Sequence, residues 1–187
     1  MFKKILLTSF TIWKAHHTSN SSDDLLEMLS QTHPYPLHYL RKLPVDFQLA
    51  PRQVLDRFRE LLSEVTILCG MAEERSELHV ESQAVVGEEV IINDLDLQAL
   101  TAGLAITEIS YDAGRFVCNE LYYRMLKHHR DEGLVQPCVF VHIPRLTEEN
   151  RQPIMEDFQT LIQRLSALPL PAISKQSARL GVSAEGR

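Results

Sequence analysis

A cysteine at the predicted start of a helix is the strongest sign of chemistry in this sequence. It belongs to residues 110–119, SYDAGRFVCN, in which a strand is predicted to end near Ser110 and Gly114 allows a tight turn. The following helix is predicted from about Phe116, which places Cys118 in its first turn. The unpaired N–H groups and the positive end of the helix dipole stabilise a thiolate there, so we expect a lowered thiol pKa. The alternative is a small core residue, the commoner role of a free cysteine.

A histidine and a glutamate fall where they could meet this cysteine. His142 lies near the end of the apolar run CVFVHI, residues 138–143, which has the composition of a buried strand. Glu81 lies in the predicted strand 78–85, where alternation puts it on the face opposite the apolar residues. A carboxylate in a sheet needs a partner, because an unpaired buried charge is costly. The three side chains therefore form a candidate group with Cys118 as nucleophile.

The rest of the sequence predicts the framework that would bring these residues together. Short aliphatic runs alternate with longer amphipathic ones, which is typical of helices covering a largely parallel sheet. The predicted strands span residues 4–10, 45–49, 65–71, 78–85, 106–110 and 137–143. The predicted helices span residues 51–62, 96–104 and 153–165, with two more around residues 25–29 and after residue 116. We expect one three-layer α/β/α domain with a mixed, mainly parallel sheet, in which ligands bind beyond the carboxyl ends of the strands.

The length and composition indicate one globular unit. The chain has 187 residues, of which 44% are hydrophobic and 24% are charged, as in ordinary domains with a buried core. We assign residues 1–168 to the α/β domain. Residues 169–187 begin Pro-Leu-Pro and continue with serine, alanine, glycine and basic residues, so we expect a poorly ordered extension or a segment that docks on a partner.

Several classes of function and partner are disfavoured. A formal net charge of −6 argues against nucleic acid or an anionic membrane as a partner. The N-terminus lacks the features of a signal peptide, and no segment approaches the roughly 20 apolar residues that cross a bilayer. Three cysteines without paired spacing fit a reducing compartment, so we expect a soluble, cytoplasmic protein.

A metal site is not expected either. The adjacent pairs His16-His17 and His128-His129 are predicted to point in divergent directions, and they lack the helical spacing of zinc-binding histidines.

Three segments resemble motifs of a known family. Residues 110–119 are similar to the nucleophile motif S-x-x-A-G-x-[FY]-[VL]-C-N of the pyroglutamyl peptidase I family, the pyrrolidone-carboxylate peptidases. Residues 140–144, FVHIP, resemble its F-[IV]-H-V-P motif, and residues 69–72, CGMA, resemble its V-G-Q-A motif. The similarity runs from Lys4 to about Leu165. It implies the fold of this family and the removal of N-terminal pyroglutamate from peptides.

The resemblance also implies a role for each site residue. Cys118 would attack the carbonyl of the pyroglutamyl bond, His142 would take its proton and return it to the leaving amine, and Glu81 would orient the imidazole. Phe10 and Trp13 would hold the flat lactam ring, and backbone N–H groups beside Cys118 would form the oxyanion hole. The implied partner is a peptide with a blocked N-terminus. No cofactor is implied, and a homo-oligomer remains open because family members commonly self-associate.

Other positions depart from the family pattern. The first loop, SFTIWKA at residues 9–15, has lost every glycine and the proline of the family's loop, and Met71 replaces a glutamine that helps to read the lactam. Ile91 takes the place of an arginine implicated in oxyanion stabilisation, for which Arg75 or Arg115 could substitute unless both are surface residues. Two alternatives therefore stay open: a catalytically impaired relative that binds a peptide or protein, and a cysteine hydrolase for a different small amide.

Overall fold

The structure is a computed structural model that describes residues 3–32 and 36–169. Its elements, in chain order, are β1 (Ile5–Phe10), α1 (Ser21–Thr32), β2 (His38–Leu43), α2 (Leu49–Leu61), β3 (Val65–Met71), β4 (Leu78–Glu81), β5 (Gln83–Val86), β6 (Glu89–Ile92), α3 (Leu97–Thr101), β7 (Thr107–Ser110), α4 (Val117–Asp131), β8 (Cys138–Ile143) and α5 (Arg151–Ala167). The expectation for residues 169–187 concerns a segment that, apart from Pro169, lies outside the described residues.

A six-stranded sheet forms the centre of the fold. Its strand order is β2-β1-β3-β8-β4-β7, and every neighbouring pair is parallel except β4 and β8. The central strands β3 and β8 are buried along their whole length, as expected for continuous apolar runs covered on both faces. The prediction of a mixed, mainly parallel sheet is confirmed.

Helices cover both faces of the sheet, each face with its own apolar core. One core joins residues of α1, α3 and α5, such as Leu26, Leu97 and Phe158, to the sheet. The other joins residues of α2 and α4, such as Val54 and Tyr122, to the opposite face. The three-layer arrangement is therefore also confirmed. Among the described helices, none is long and apolar enough to span a membrane.

The predicted strand at residues 45–49 is wrong. The edge strand is β2, and residues 45–49 lead into α2. The carboxylate of Asp46 accepts hydrogen bonds from the N–H groups of Gln48, at 2.9 Å, and Leu49, at 2.7 Å. These bonds satisfy N–H groups at the entry to the helix and so favour a helix start over an extended strand.

The predicted strand at residues 78–85 is divided into two. β4 ends at Glu81. The N–H of the next residue, Ser82, donates to the Ser110 carbonyl at 2.8 Å, and the Ser82 carbonyl accepts from the Asn93 N–H at 2.8 Å. The chain then leaves the central sheet and pairs as the β5–β6 hairpin. Gly87 has φ +61° in the two-residue turn of this hairpin, a conformation that suits glycine. Glu81 consequently stands at the carboxyl end of a strand, where ligand sites form.

Candidate active site

The Glu81 and His142 side chains form a buried hydrogen bond. Neighbouring antiparallel strands, β4 and β8, carry the two residues, and Glu81 Oε1 lies 2.6 Å from His142 Nδ1. The Glu81 side chain has no exposed surface, and His142 is also buried. Since an ionised carboxylate can only accept, Nδ1 carries the proton of this bond. The neutral ring then has Nε2 free to accept a proton, which is the tautomer that a general base requires.

Arg75 is a second partner of Glu81. Its Nη1 donates to Glu81 Oε1 at 2.8 Å, and its Nη2 donates to the Asp112 carbonyl at 2.8 Å. Burial opposes the ionisation of Glu81, but the hydrogen bond from His142 and the nearby charge of Arg75 hold the pKa of Glu81 below its ordinary value. Glu81 is therefore a carboxylate at neutral pH, although it is buried.

Two polar side chains that sequence reasoning did not assign to the site fix the backbone around Glu81. The Tyr122 hydroxyl donates to the Glu81 carbonyl at 2.9 Å, and it accepts a bond of 2.7 Å from Asn93. The Asn119 amide makes two bonds with the backbone of Val85, at 2.9 and 2.6 Å. Tyr122 is fully buried, as a core residue would be, and it does not line the cavity described below. These bonds tie α4, which carries Cys118, to the segment that carries Glu81.

Cys118 lies in the first turn of α4, as predicted, and faces a cavity of about 500 Å³ that His142 also lines. Phe116 precedes the helix with extended backbone and provides no side-chain cap. Within the described chain, the N–H groups of residues 117–119 have no oxygen acceptor, so they are available to an incoming oxyanion. The described contacts also include no hydrogen bond between the Cys118 sulfur and the His142 ring.

The thiol of Cys118 is protonated at neutral pH. Burial raises its pKa to about 12, the negative charge of Glu81 acts in the same direction, and the residue's own N–H opposes them. The expectation of a lowered pKa is therefore wrong for this structure. The N–H at the helix N-terminus lowers the thiol pKa, as predicted. Desolvation and the neighbouring carboxylate raise it by more. Any nucleophile at this position must be generated by removing a proton.

The walls of the cavity are mainly apolar. Phe10, Trp13 and Met71, the three residues predicted to bind substrate, all line it together with Cys118 and His142. The other apolar lining residues are Val45, Ala113, Phe116 and Val117, and the remaining polar ones are Lys14 and Asn20. A cavity of this size with few polar groups is typical of a small-molecule or side-chain pocket.

Glu73 holds the loop that carries Trp13, and sequence reasoning missed it. Its carboxylate forms an ion pair with Lys14, and it also contacts His16 Nε2 at 3.3 Å, His17 Nε2 at 2.9 Å and Arg145 Nη2 at 3.0 Å. The prediction that His16 and His17 diverge is wrong, because both rings reach the same oxygen. Three ligand atoms here lie within 4.8 Å of one another. Two permanent cations already neutralise the carboxylate, so these contacts are best described as an ion-pair cluster.

Comparisons with known proteins identify similar sequences. The sequence model of the pyroglutamyl peptidase family matches residues 97–163, which include Cys118 and His142. The pyrrolidone-carboxylate peptidase of Thermoanaerobacter sp. (strain X514) is 25% identical over 169 residues, or 76% of this chain and 83% of that protein. The Vibrio vulnificus (strain YJ016) protein of the same name is 24% identical over 203 residues, or 93% of this chain and 94% of that protein.

Solved structures show the same fold. Pyroglutamyl peptidase I from Bacillus amyloliquefaciens superposes with a TM-score of 0.76 at 20% identity, covering 90% of this chain and 97% of that chain. The pyrrolidone carboxyl peptidase from Thermococcus litoralis gives 0.74 at 20% identity, covering 88% and 93%. The chain therefore resembles the pyroglutamyl peptidases in sequence over residues 97–163 and shares their fold.

A difference from the pyroglutamyl peptidase pattern is visible at the position of the expected arginine. Ile91 is buried against α4 in the apolar core and does not line the cavity. Arg75 is bound to Glu81, and Arg115 is a surface residue that pairs with Asp112 at 2.9 Å. Neither arginine lines the cavity, so neither replaces the missing donor, and Arg115 has the surface role that the sequence favoured. The described donors for an oxyanion are the backbone N–H groups of α4.

Proposed function

We propose that this chain is a cysteine exopeptidase that removes an N-terminal pyroglutamyl group from peptides. Cys118 is the nucleophile, His142 is the general base and acid, and Glu81 orients the imidazole. The observation that carries the proposal is the 2.6 Å bond between Glu81 and His142, made at the edge of a cavity that also contains Cys118. Similarity to the pyroglutamyl peptidases in sequence supports the same reaction.

The protonated thiol determines the order of events. As the sulfur attacks the carbonyl carbon of the scissile amide, His142 Nε2 takes the thiol proton, and Glu81 stabilises the resulting imidazolium. Backbone N–H groups of residues 117–119 bind the oxyanion. The tetrahedral intermediate then expels the peptide amine, which receives the proton from His142. Water, deprotonated by the same imidazole, attacks the thioester and releases the acid and the free cysteine.

The reaction steps above are compatible with the lack of a hydrogen bond between the sulfur and the imidazole in the substrate-free chain. Catalytic hydrogen bonds are often long or poorly aligned without substrate and shorten in the Michaelis complex. Cys118 and His142 already share one cavity wall, so this step requires a local adjustment of side chains. A preformed thiolate is not required, because the proton moves as the sulfur attacks.

The proposal is tested with a fluorogenic pyroglutamyl amide and the purified full chain. Turnover is expected, and Cys118→Ala and His142→Ala should each lower kcat by about 10⁴-fold or more. Cys138→Ala is the matched control, because this cysteine is buried in the apolar core away from the cavity and should leave turnover intact. Absence of turnover at high enzyme concentration would reject the proposal.

A binding role without turnover is the second candidate function. Two observations favour it: the raised pKa of the Cys118 thiol and the replacement of the expected arginine by Ile91. Losing one oxyanion donor typically costs about 10²–10³ in rate. Calorimetry with a pyroglutamyl peptide distinguishes the two candidates, since binding without detectable cleavage by the unmodified chain would support this second one.

A further inference from the structure

Outside the reacting groups, no polar side chain of the described cavity wall is left to accept a hydrogen bond from a substrate. The Asn20 amide oxygen accepts bonds from the N–H and the hydroxyl of Ser22, at 3.0 and 2.7 Å, and its Nδ2 donates to the Thr11 carbonyl at 3.0 Å. The Lys14 ammonium is paired with Glu73. The Trp13 indole N–H can only donate, and the remaining polar side chains of the wall are Cys118 and His142, which are the reacting groups.

Met71 is committed as well. Its sulfur accepts the backbone N–H of Ser21, the first residue of α1, at 3.3 Å. A thioether is a weak acceptor and cannot donate, so this side chain offers nothing to a ring amide. It nevertheless stands on the wall beside the two aromatic rings, Phe10 and Trp13, that face the same cavity.

This wall affects a lactam and a hydrocarbon ring differently. The lactam of a pyroglutamyl group has one N–H donor and one carbonyl acceptor, which lose their hydrogen bonds to water on entering an apolar cavity. A cyclopentane ring of nearly the same shape has no such loss. Sites that hydrogen-bond a polar substrate group reject analogues without it by about 10⁴-fold, whereas apolar pockets discriminate weakly between rings of similar size.

We propose that the cavity selects its acyl group by size and apolar contact, so that amides of five-membered rings without a ring amide are substrates at least as good as pyroglutamyl amides. The inference rests on the proposed function and names the substrate class of the same site. Phe10 and Trp13 provide the surfaces against which the ring packs, and Met71 adds an apolar contact on the same wall.

The test compares two coumarin amides, pyroglutamyl and cyclopentanecarbonyl, with the full chain. We expect kcat/KM for the carbocyclic amide to equal or exceed that for the lactam by up to about tenfold. Met71→Gln supplies a donor and an acceptor, and it should shift the ratio toward the lactam by about tenfold or more. Met71→Leu is the matched control, because it removes the sulfur without adding a polar group and should leave the ratio within about threefold. A reproducible preference of the unmodified chain for the lactam overturns the inference.

A second measurement separates this inference from the proposed function. If neither amide is cleaved, the proposed function fails, and the cavity is then examined by calorimetry. The ligands are pyroglutamyl-alanine amide and cyclopentanecarbonyl-alanine amide, added to the Cys118→Ala chain. Equal or tighter binding of the carbocyclic ligand supports the inference, while tighter binding of the lactam, or no binding of either, overturns it.

Discussion

Gly70 lies against the sulfur of Cys118. A Cβ placed on Gly70 would come within 2.7 Å of Cys118 Sγ and within 2.9 Å of the Phe140 ring. Real Cβ atoms essentially never approach other atoms so closely. Glycine at this point of β3 therefore provides the space that the proposed nucleophile occupies.

Gly70→Ala should inactivate the chain while leaving it folded. The added methyl group must displace the sulfur or the Phe140 ring, and a displacement of about 1 Å at a reacting atom costs about 100-fold in rate. The measurement is kcat for a cleaved amide, together with a thermal unfolding curve. Gly103→Ala is the control: its added Cβ meets nothing within 4 Å, but φ is +71°, so it should lower stability and leave kcat unchanged. Full activity of Gly70→Ala would show that the sulfur does not react from this position.

Arg75→Gln should move the acidic limb of the pH profile of kcat/KM to higher pH. Glu81 must be ionised to orient His142, and the charge of Arg75 helps to hold the pKa of Glu81 below its ordinary value. Without that charge, Glu81 takes up a proton at higher pH, so activity is lost earlier as the pH falls. Arg115→Gln, which removes a surface arginine paired with Asp112, should leave the limb in place.

The same variant has a consequence for stability. A carboxylate whose pKa is depressed in the folded state contributes stability above its unfolded pKa of about 4.3, and this contribution is lost as the pH falls through the folded pKa. Arg75→Gln should therefore unfold more easily than the parent near pH 7, and the difference should shrink below pH 4. A difference that is constant over this range would show that Arg75 acts on stability independently of Glu81.

The strands that carry the site could be predicted because burial on both faces leaves a continuous apolar run. This is true of β3 and β8, which the sequence predicts almost to the residue. The edge strand β2, HYLRKL, is half-exposed, and its basic residues hide the pattern. The β5–β6 hairpin did have a usable signal, since Gly87 and Glu88 separate two apolar runs by the two residues that a tight turn needs.

The site was predictable only in part. Cys118, His142 and Glu81 lie in or next to recognisable motifs. Arg75 was named only as a substitute oxyanion donor, and its bond to Glu81 was not predicted. Glu73 was not found, because it acts through partners distant in the sequence, such as Arg145, 72 residues away. Such long-range pairs leave no periodic pattern in the sequence from which they could be predicted. The raised pKa of the Cys118 thiol could not be predicted either, because it results from burial, which depends on the whole fold.

Glu81→Gln should change alkylation and catalysis in opposite directions. The negative charge of Glu81 raises the pKa of the Cys118 thiol, so its removal lowers that pKa and increases the thiolate fraction. Iodoacetamide should then react faster with Cys118 at pH 8, while turnover falls because the imidazole has lost its orienting partner. Mass spectrometry of the labelled peptide measures the first effect.

In the parent chain, the alkylation rate of Cys118 should rise about tenfold per pH unit from pH 7 to 9, because the thiol titrates far above this range. Glu60→Gln removes a well-exposed carboxylate and serves as the control, with no expected change in either rate. A plateau of the parent's rate below pH 8 would indicate a preformed thiolate and contradict the protonated resting state.

Glu73→Gln should weaken substrate binding more than it slows the chemical step. Glu73 pairs with Lys14 and contacts His17, and this holds the loop that places Trp13 on the cavity wall. Without the carboxylate charge, the loop must be ordered when substrate binds, which should raise KM by about fivefold to tenfold and change kcat less. Glu74→Gln removes the same charge from the adjacent, exposed residue, so its KM should match that of the parent. Equal KM values for the two variants would mean that the cluster around Glu73 does not position the cavity wall.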